Sequence, residues 1–171
     1  MIRYLVAPML LTSVLLSVPV RAGERHACAL FSKAEIEQAA GSGLGEPRAN
    51  DLPADNQISL SSCSWRGAAG AATRSLTVTL RIAPHPVPDT EPKVVEALKD
   101  GGASFVETRV AEQRALWSAR ATPLGLNGEL HVFKDGGAVY LMIAVMGTGD
   151  DQALQTRAKT LAALALTRAG P

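Results

Sequence analysis

A strict alternation of apolar and polar residues over positions 76–82 limits the possible folds of this chain more than any other pattern in it. The run reads LTVTLRI, with an aliphatic residue at every second position. Because successive side chains of a β-strand point to opposite faces of a sheet, this pattern predicts a strand with one buried face. A partner strand is predicted over residues 58–65, with Cys63 and Trp65 on the core side, and residues 67–73 form the hairpin loop between them.

A second hairpin is predicted around Asp135-Gly136. This dipeptide favours the tight turns that join antiparallel strands, and residues 129–133 and 138–146 on either side are mostly apolar. Residues 41–57 are rich in glycine, proline, asparagine and aspartate, a composition that predicts an ordered loop.

Two capping boxes predict the starts of helices. Ser32 and Glu35 have the spacing at which a serine hydroxyl and a glutamate carboxylate satisfy the backbone of a first helical turn. Ser104 and Glu107 repeat this spacing, so residues 105–114 are also predicted to be helical.

The order of the elements indicates an α+β fold. A further helix is predicted over residues 90–100, and a closing helix begins at Asp150 or Asp151. Residues 115–121 are ambiguous. Hairpins pair antiparallel strands, and helices separated from them in sequence usually cover one face of the sheet. We therefore expect a twisted antiparallel sheet of about four to six strands with helices packed on it, in a single domain over residues 23–171.

The first 22 residues predict export. A positively charged start precedes a long apolar run, and small side chains follow at the positions that signal peptidase inspects, so cleavage is predicted between Ala22 and Gly23. A membrane anchor is the alternative, but the apolar run is slightly short for a span and Pro8 and Pro19 interrupt it. We expect a periplasmic or secreted bacterial protein with no membrane anchor after cleavage.

The charge balance argues against nucleic acid as a partner. The chain has 17 basic and 16 acidic residues, and cleavage of the signal removes Arg3 and Arg21 but no acid, which leaves a net charge of −1. A nearly neutral chain lacks the basic surface that binds nucleic acid. Aromatic residues make up only 4% of the chain, so wide stacking surfaces for sugars or bases are not expected.

Cys28 and Cys63 are the two cysteines of the chain. In an exported protein they most simply form one disulfide bond, because the compartment is oxidising. The bridge closes a loop of about 36 residues, for which chain entropy gives about 4 kcal/mol of stabilisation. A zinc site lacks the paired spacing of its ligands, and a redox site lacks a Cys-x-x-Cys motif.

No motif indicates catalysis, a cofactor or a metal. His26, His85 and His131 do not have the spacings at which two histidines reach one metal, and His131 is expected to point outward from its strand. The glycine-rich residues 41–45 follow a helix instead of preceding one, so they are interpreted as a helix stop and not as a phosphate loop. We therefore expect no catalytic residue.

One grouping of residues suggests surface recognition. Trp117 lies between Arg114 and Arg120, which favours a small patch that binds by stacking and charge. His85, held between prolines in an exposed segment, is a further candidate. Burial of Trp117 in the core is the favoured alternative.

Part of the chain resembles a bacterial family of secreted proteins of unknown function, many of which are lipoproteins, especially in actinobacteria. The resemblance is carried by residues 27–36, ACALFSKAEI, by residues 63–65, CSW, and by residues 124–129, LGLNGE. It implies a pairing of Cys28 with Cys63 and a small α+β sandwich of sheet and helices. The family has no established reaction, so no catalytic role follows. The stretch Glu24-Arg25-His26-Ala27 precedes Cys28, and its charge excludes lipid attachment there, unlike in the lipoprotein members.

Two functions fit these observations. The first is a non-catalytic binding or accessory protein of the cell envelope, whose partner is an envelope protein. The second is a periplasmic carrier that holds a small apolar ligand between sheet and helices. An enzyme of unrecognised type is a third and less favoured alternative.

Overall fold

Seven antiparallel strands form one sheet, and helices pack on both of its faces. The computed structural model describes residues 25–55 and 57–170; the expected signal peptide, with its cleavage site between Ala22 and Gly23, lies outside the described residues. The elements in chain order are a 3₁₀ helix (Ala27–Leu30), α1 (Lys33–Ala40), β1 (Arg48–Asp55), β2 (Ile58–Arg66), β3 (Thr73–Ile82), α2 (Thr90–Asp100), β4 (Phe105–Val110), β5 (Gln113–Thr122), β6 (Gly125–Lys134), a 3₁₀ turn (Asp135–Gly137), β7 (Val139–Gly147) and α3 (Asp151–Arg168).

The strands lie in the order β1-β2-β3-β7-β6-β5-β4, and every neighbouring pair is antiparallel. The α+β class is confirmed, but the sheet has seven strands instead of the expected four to six. The additional strands, β1 and β4, form the two edges. The loop predicted over β1 and the helix predicted over β4 are both wrong. Pairing of β4 with β5 outweighs the local capping pattern of Ser104 and Glu107.

The main core lies on the face of the sheet that carries Cys63 and Trp65, here called the first face. The alternation over residues 76–82 is confirmed, because its four aliphatic side chains are buried on this face. From the opposite side α3 contributes Leu154, Ala158 and Leu161, none of which has exposed surface. Burial of one leucine side chain contributes about 1.5–3 kcal/mol, so the contact of α3 with the sheet is a main source of stability.

The second face is covered in part by α2. Leu98 of α2 packs against Leu116 of β5 and Phe133 of β6, with Val94 and Val95 beside it. Helices therefore cover both faces and not one, because α2 has an apolar stripe of its own that needs a surface. Towards β2 and β3 the same face carries serine and threonine side chains.

The start signals of α1 and α3 are confirmed. The backbone N–H of Glu35 donates to the Ser32 hydroxyl (3.4 Å) and the backbone N–H of Ser32 donates to the Glu35 carboxylate (2.8 Å). Asp150 caps α3 by accepting a hydrogen bond from the N–H of Ala153 (2.8 Å). Within the described ranges no helix combines the length and the apolar character that a membrane crossing requires.

Candidate binding cleft

A disulfide bond joins Cys28 in the first 3₁₀ helix to Cys63 on β2, as predicted, with Cα atoms 4.9 Å apart. The same helix is held at a second point, where the N–H of Ala27 donates to the hydroxyl of Ser61 on β2 (2.8 Å). These two contacts fix the segment that leads into α1 against the first face of the sheet.

Beside the disulfide, α1, the segment before β1 and the end of β2 enclose a cleft of about 160 Å³. The apolar floor of the cleft consists of Phe31, Ile36, Leu44 and Trp65. The rings of Phe31 and Trp65 meet edge to face, with centroids 6.4 Å apart, an arrangement that aromatic pairs prefer. The cleft is therefore a packed, concave and apolar surface.

Glycines allow the segment before β1 to reach β2. Gly43 has a φ of +93°, in the left-handed region that favours glycine. Its carbonyl accepts a hydrogen bond from Ala68, and the N–H of Gly45 donates to the carbonyl of Arg66, both at 2.8 Å. Residues 41–45 thus form the helix stop and loop that the sequence predicts, and they bring Leu44 into the cleft.

Charged side chains of both signs surround the opening of the cleft. Lys33 on α1 and Glu46 before β1 approach to 4.0 Å, and both side chains are mostly exposed. Glu37 also lines the opening. An exposed ion pair adds little to stability, so these charges are free to contact the polar surroundings of a bound group.

An ion pair anchors α1, one wall of the cleft, to α3. Arg168 donates to both carboxylate oxygens of Glu35, at 2.6 and 2.9 Å, and also to the carbonyl of Leu30. Hydrogen bonding to Arg168 lowers the pKa of Glu35 to about 2, so this carboxylate stays charged at neutral and mildly acidic pH. The helix that carries Ile36 is thereby held in place, and the cleft is preformed.

The floor of the cleft is apolar, and the charged side chains of the cleft are at its opening. Its floor is aliphatic and aromatic and contains no acid, base or nucleophile, and the hydroxyl of Ser32 at its edge is engaged in the capping box. Across residues 25–55 and 57–170, no group of three or more histidine, cysteine, aspartate or glutamate side chains is placed to hold a metal ion. An apolar hollow of this kind, with charged side chains at its opening, fits an apolar group that projects from a polar ligand.

The structure does not bring together the four residues considered for surface recognition. Trp117 is buried on the first face, with 2% of its surface exposed, and its indole N–H donates to Asp151 (2.7 Å). Arg114 and Arg120 occupy strand positions of opposite parity to Trp117, on the second face, and His85 lies exposed between β3 and α2. The core position favoured for Trp117 is the one observed.

His131 is buried on the second face, opposite Leu116, which packs against Leu98 of α2, so the expectation that it points outward into solvent is wrong. Only 5% of its surface is exposed, and its Nδ1 forms a hydrogen bond of 2.8 Å with the hydroxyl of Tyr140. Burial lowers the pKa of His131 and raises the pKa of Tyr140 to about 12, so both groups are neutral at pH 7. The apolar stripe of the helix predicted over residues 90–100 was the sequence signal that a helix packs on the second face.

No known family model matches the chain, and no curated protein matches its sequence significantly. The resemblance to secreted proteins of unknown function stays a prediction. Sequence reasoning placed Cys63 and Trp65 on the core side of a strand but did not find the cleft, which depends on Leu44 and Ile36 reaching them from other segments.

Proposed function

We propose that this chain is an exported protein of the bacterial cell envelope that acts by binding, without catalysis, and that its cleft takes up an apolar side chain of a partner protein. The observation that carries the proposal is the preformed apolar cleft whose floor includes Phe31 and Trp65. Export follows from the predicted signal sequence, and a disulfide bond is compatible with an oxidising compartment.

The size of the cleft favours a side chain over a free ligand. Pockets for small-molecule ligands usually have volumes of about 300–1,000 Å³. The cleft, at about 160 Å³, is closer to an apolar cavity of about 150 Å³ that holds one benzene molecule. The carrier hypothesis places its ligand between sheet and helices, where Leu154, Ala158 and Leu161 already fill the space.

The position of the cleft favours an extended segment of the partner. Pro47 lines the cleft and directly precedes β1, and the outer side of β1 pairs with no strand of the described residues. A segment that adds to a sheet edge presents alternate side chains to the same face, so one of them reaches the cleft while the main chain forms hydrogen bonds.

The two tryptophans of the chain make the proposal testable by NMR, because Trp65 lines the cleft and Trp117 is buried elsewhere. Toluene and N-acetyl-phenylalaninamide are titrated into ¹⁵N-labelled mature protein, with N-acetyl-alaninamide as the matched probe. We expect the indole N–H resonance of Trp65 to shift saturably with the two aromatic probes only. The resonance of Trp117 should stay unchanged.

A matched pair of variants locates the binding. Leu44→Phe adds volume inside the cleft, whereas Leu124→Phe makes the same change at an exposed turn position after β5. We expect the first variant to weaken binding of the aromatic probes at least about tenfold, or ~1.4 kcal/mol, and the second to leave it unchanged. The Trp117 resonance reports whether each variant is folded. Equal affinity in both variants, or an unshifted Trp65, refutes the site.

Native mass spectrometry of the protein purified from its own periplasm tests the carrier alternative. We expect the mass of the polypeptide beginning at Gly23 with the disulfide intact and no retained small molecule. A bound apolar molecule of constant mass would replace our proposal with the carrier function.

A further inference from the structure

We infer that two copies of this chain associate through the outer edge of β4, so that their sheets continue into one another about a two-fold axis. We call this surface the β4 edge; it comprises Phe105–Val110. The β4 edge lies at the opposite end of the sheet from β1 and the cleft. The inference therefore does not rest on the proposed binding function.

The turn after β4 determines which of its backbone groups point outward. A two-residue turn, Ala111-Glu112, connects β4 to β5, and the pair that closes such a hairpin is hydrogen-bonded. Hydrogen-bonded pairs alternate along antiparallel strands. The N–H and C=O groups of Phe105, Glu107 and Arg109 therefore point away from β5, where no strand of the described residues pairs with them.

The two edges of the sheet differ in their capacity to accept a whole strand. In β1 the pairing register is irregular after Leu52, and Pro53 removes a backbone donor, so only the first half of this strand, next to the cleft, offers a regular edge. β4 contains no proline and pairs with β5 without a register shift. Of the two edges, the β4 edge is the one suited to an uninterrupted partner strand.

The β4 edge carries an excess negative charge at Glu107 and, within the part of the chain that the structure describes, a positive charge without a carboxylate partner at Arg109, so the edges of two copies can complement each other. Glu107 and Arg109 are two residues apart and share the second face. Arg114 lies 2.8 Å from Glu107 and 2.9 Å from Glu91, so this group of three has one negative charge in excess. Arg109 donates to the carbonyl of Glu112 (2.9 Å), and no carboxylate of the described residues lies within ion-pair distance of its guanidinium.

These charges select one register between two copies. If Thr108 lies opposite Thr108 of the second copy, Glu107 lies opposite Arg109 of the second copy, and the two-fold axis repeats the contact. If the second copy slides by two residues towards the start of its strand, Glu107 of one copy lies opposite Glu107 of the other, and the two carboxylates repel each other. The favoured register also brings the exposed side chain of Val106 beside Val110 of the second copy.

Charge reversal tests this register. In a homodimer, Glu107→Arg or Arg109→Glu places like charges opposite each other twice, whereas a dimer of one variant with the other regains two opposite-charge contacts. By sedimentation equilibrium we expect the mature wild-type chain to dimerise and each variant to associate at least about tenfold more weakly. An equimolar mixture of the two variants should recover wild-type affinity. Glu96→Arg and Lys99→Glu, at exposed positions on α2, are the matched controls. Each of them should dimerise with the affinity of the wild type.

A designed disulfide gives an independent readout. In the favoured register, Thr108 and its symmetry mate form a pair with Cα atoms about 4.5 Å apart, within the range that a disulfide spans. Thr108→Cys should therefore give a covalent dimer under mild oxidation, and Lys99→Cys on α2 should not. The inference is overturned if the wild-type chain stays monomeric up to millimolar concentration. It is equally overturned if the mixed variants associate no better than each alone, or if both cysteine variants cross-link alike.

Discussion

Gly128 leaves the space on β6 that the indole ring of Trp117 occupies. A Cβ atom at this position would lie 2.1 Å from Cη2 of Trp117. The ring has little freedom to move away, because it is buried and its N–H is bonded to Asp151 at the start of α3. We expect Gly128→Ala to lower the free energy of unfolding by about 1–3 kcal/mol in a urea titration.

Gly101 provides the control for this substitution. It has a φ of −73°, and the nearest atom to its added Cβ would be 3.3 Å away. Gly101→Ala should change the free energy of unfolding by less than about 0.5 kcal/mol. A larger loss at Gly101 than at Gly128 would contradict the tight contact with Trp117.

His131 makes the stability of the protein decrease in mild acid. Burial lowers its pKa below the ordinary value of 6.5, and the nearby Glu129 carboxylate opposes this shift only in part. The unfolded chain regains the ordinary pKa, so below that pH it binds more protons than the folded chain does. The free energy of unfolding should therefore be highest above pH 6.5 and fall as the pH decreases from 6.5 towards the lowered pKa of His131.

Urea unfolding across this pH range checks the assignment to His131. His131→Gln should remove most of the decrease, whereas His85→Gln, at an exposed loop position, should leave it unchanged. Glu35 causes a separate loss of stability that begins only below about pH 5, because its pKa is about 2 in the folded chain and 4.5 in the unfolded chain. An identical pH dependence in wild type and His131→Gln would show that another group is responsible.

The β4–β5 turn has two residues that are poorly suited to its backbone. Ala111 and Glu112 have φ values of +45° and +65°, and two-residue hairpins with positive φ at both positions favour Asn-Gly. Non-glycine residues in this region cost about 1–2 kcal/mol each. We expect the double variant Ala111→Asn/Glu112→Gly to raise the free energy of unfolding by about 1–2 kcal/mol, measured by thermal denaturation. A lower midpoint would contradict the assigned turn.

The interior strands and the capped helices could be predicted from sequence, and the edge strands could not. β3 and β7 each bury one side in the main core, and burial of one face imposes the alternation that predicts a strand. β1 has little burial to impose a pattern, so its polar composition resembles that of a loop. Ser104 and Glu107 have the spacing of a capping box at a helix start, but the pairing of β4 with β5 determines the structure of this segment.

The candidate site was only partly predictable for a similar reason. Residues 114, 117 and 120 would share a face in a helix. In the strand β5, side chains three residues apart point to different faces of the sheet, so Trp117 and the two arginines lie on different faces. The cleft forms because Gly45 bonds to Arg66 and brings Leu44 to Trp65. No local pattern specifies that approach, whereas the core side of Trp65 could be read from its own strand.

The disulfide bond stabilises the chain as a whole. It connects residues 35 positions apart, and closing such a loop contributes about 4 kcal/mol in the chain-entropy estimate. Cys63→Ser and Cys28→Ser should each lower the free energy of unfolding by a few kcal/mol, measured by urea titration without reductant. Wild type with reductant should match the variants. Equal denaturation midpoints for oxidised wild type and the variants would show that the bond contributes nothing.

The centre of the sheet joins segments that are far apart in the chain. β3 pairs with β7 along its whole length, from Thr73 opposite Gly147 to Ile82 opposite Val139. Contacts at such separation slow folding, because the intervening chain must be ordered before they form. A chain that has not yet reached β7 leaves β3 without its inner neighbour and with its aliphatic side chains uncovered. The central pair of strands therefore cannot form until residue 147 has been synthesised, and a shorter nascent chain has to keep the apolar side of β3 from contacts with other molecules.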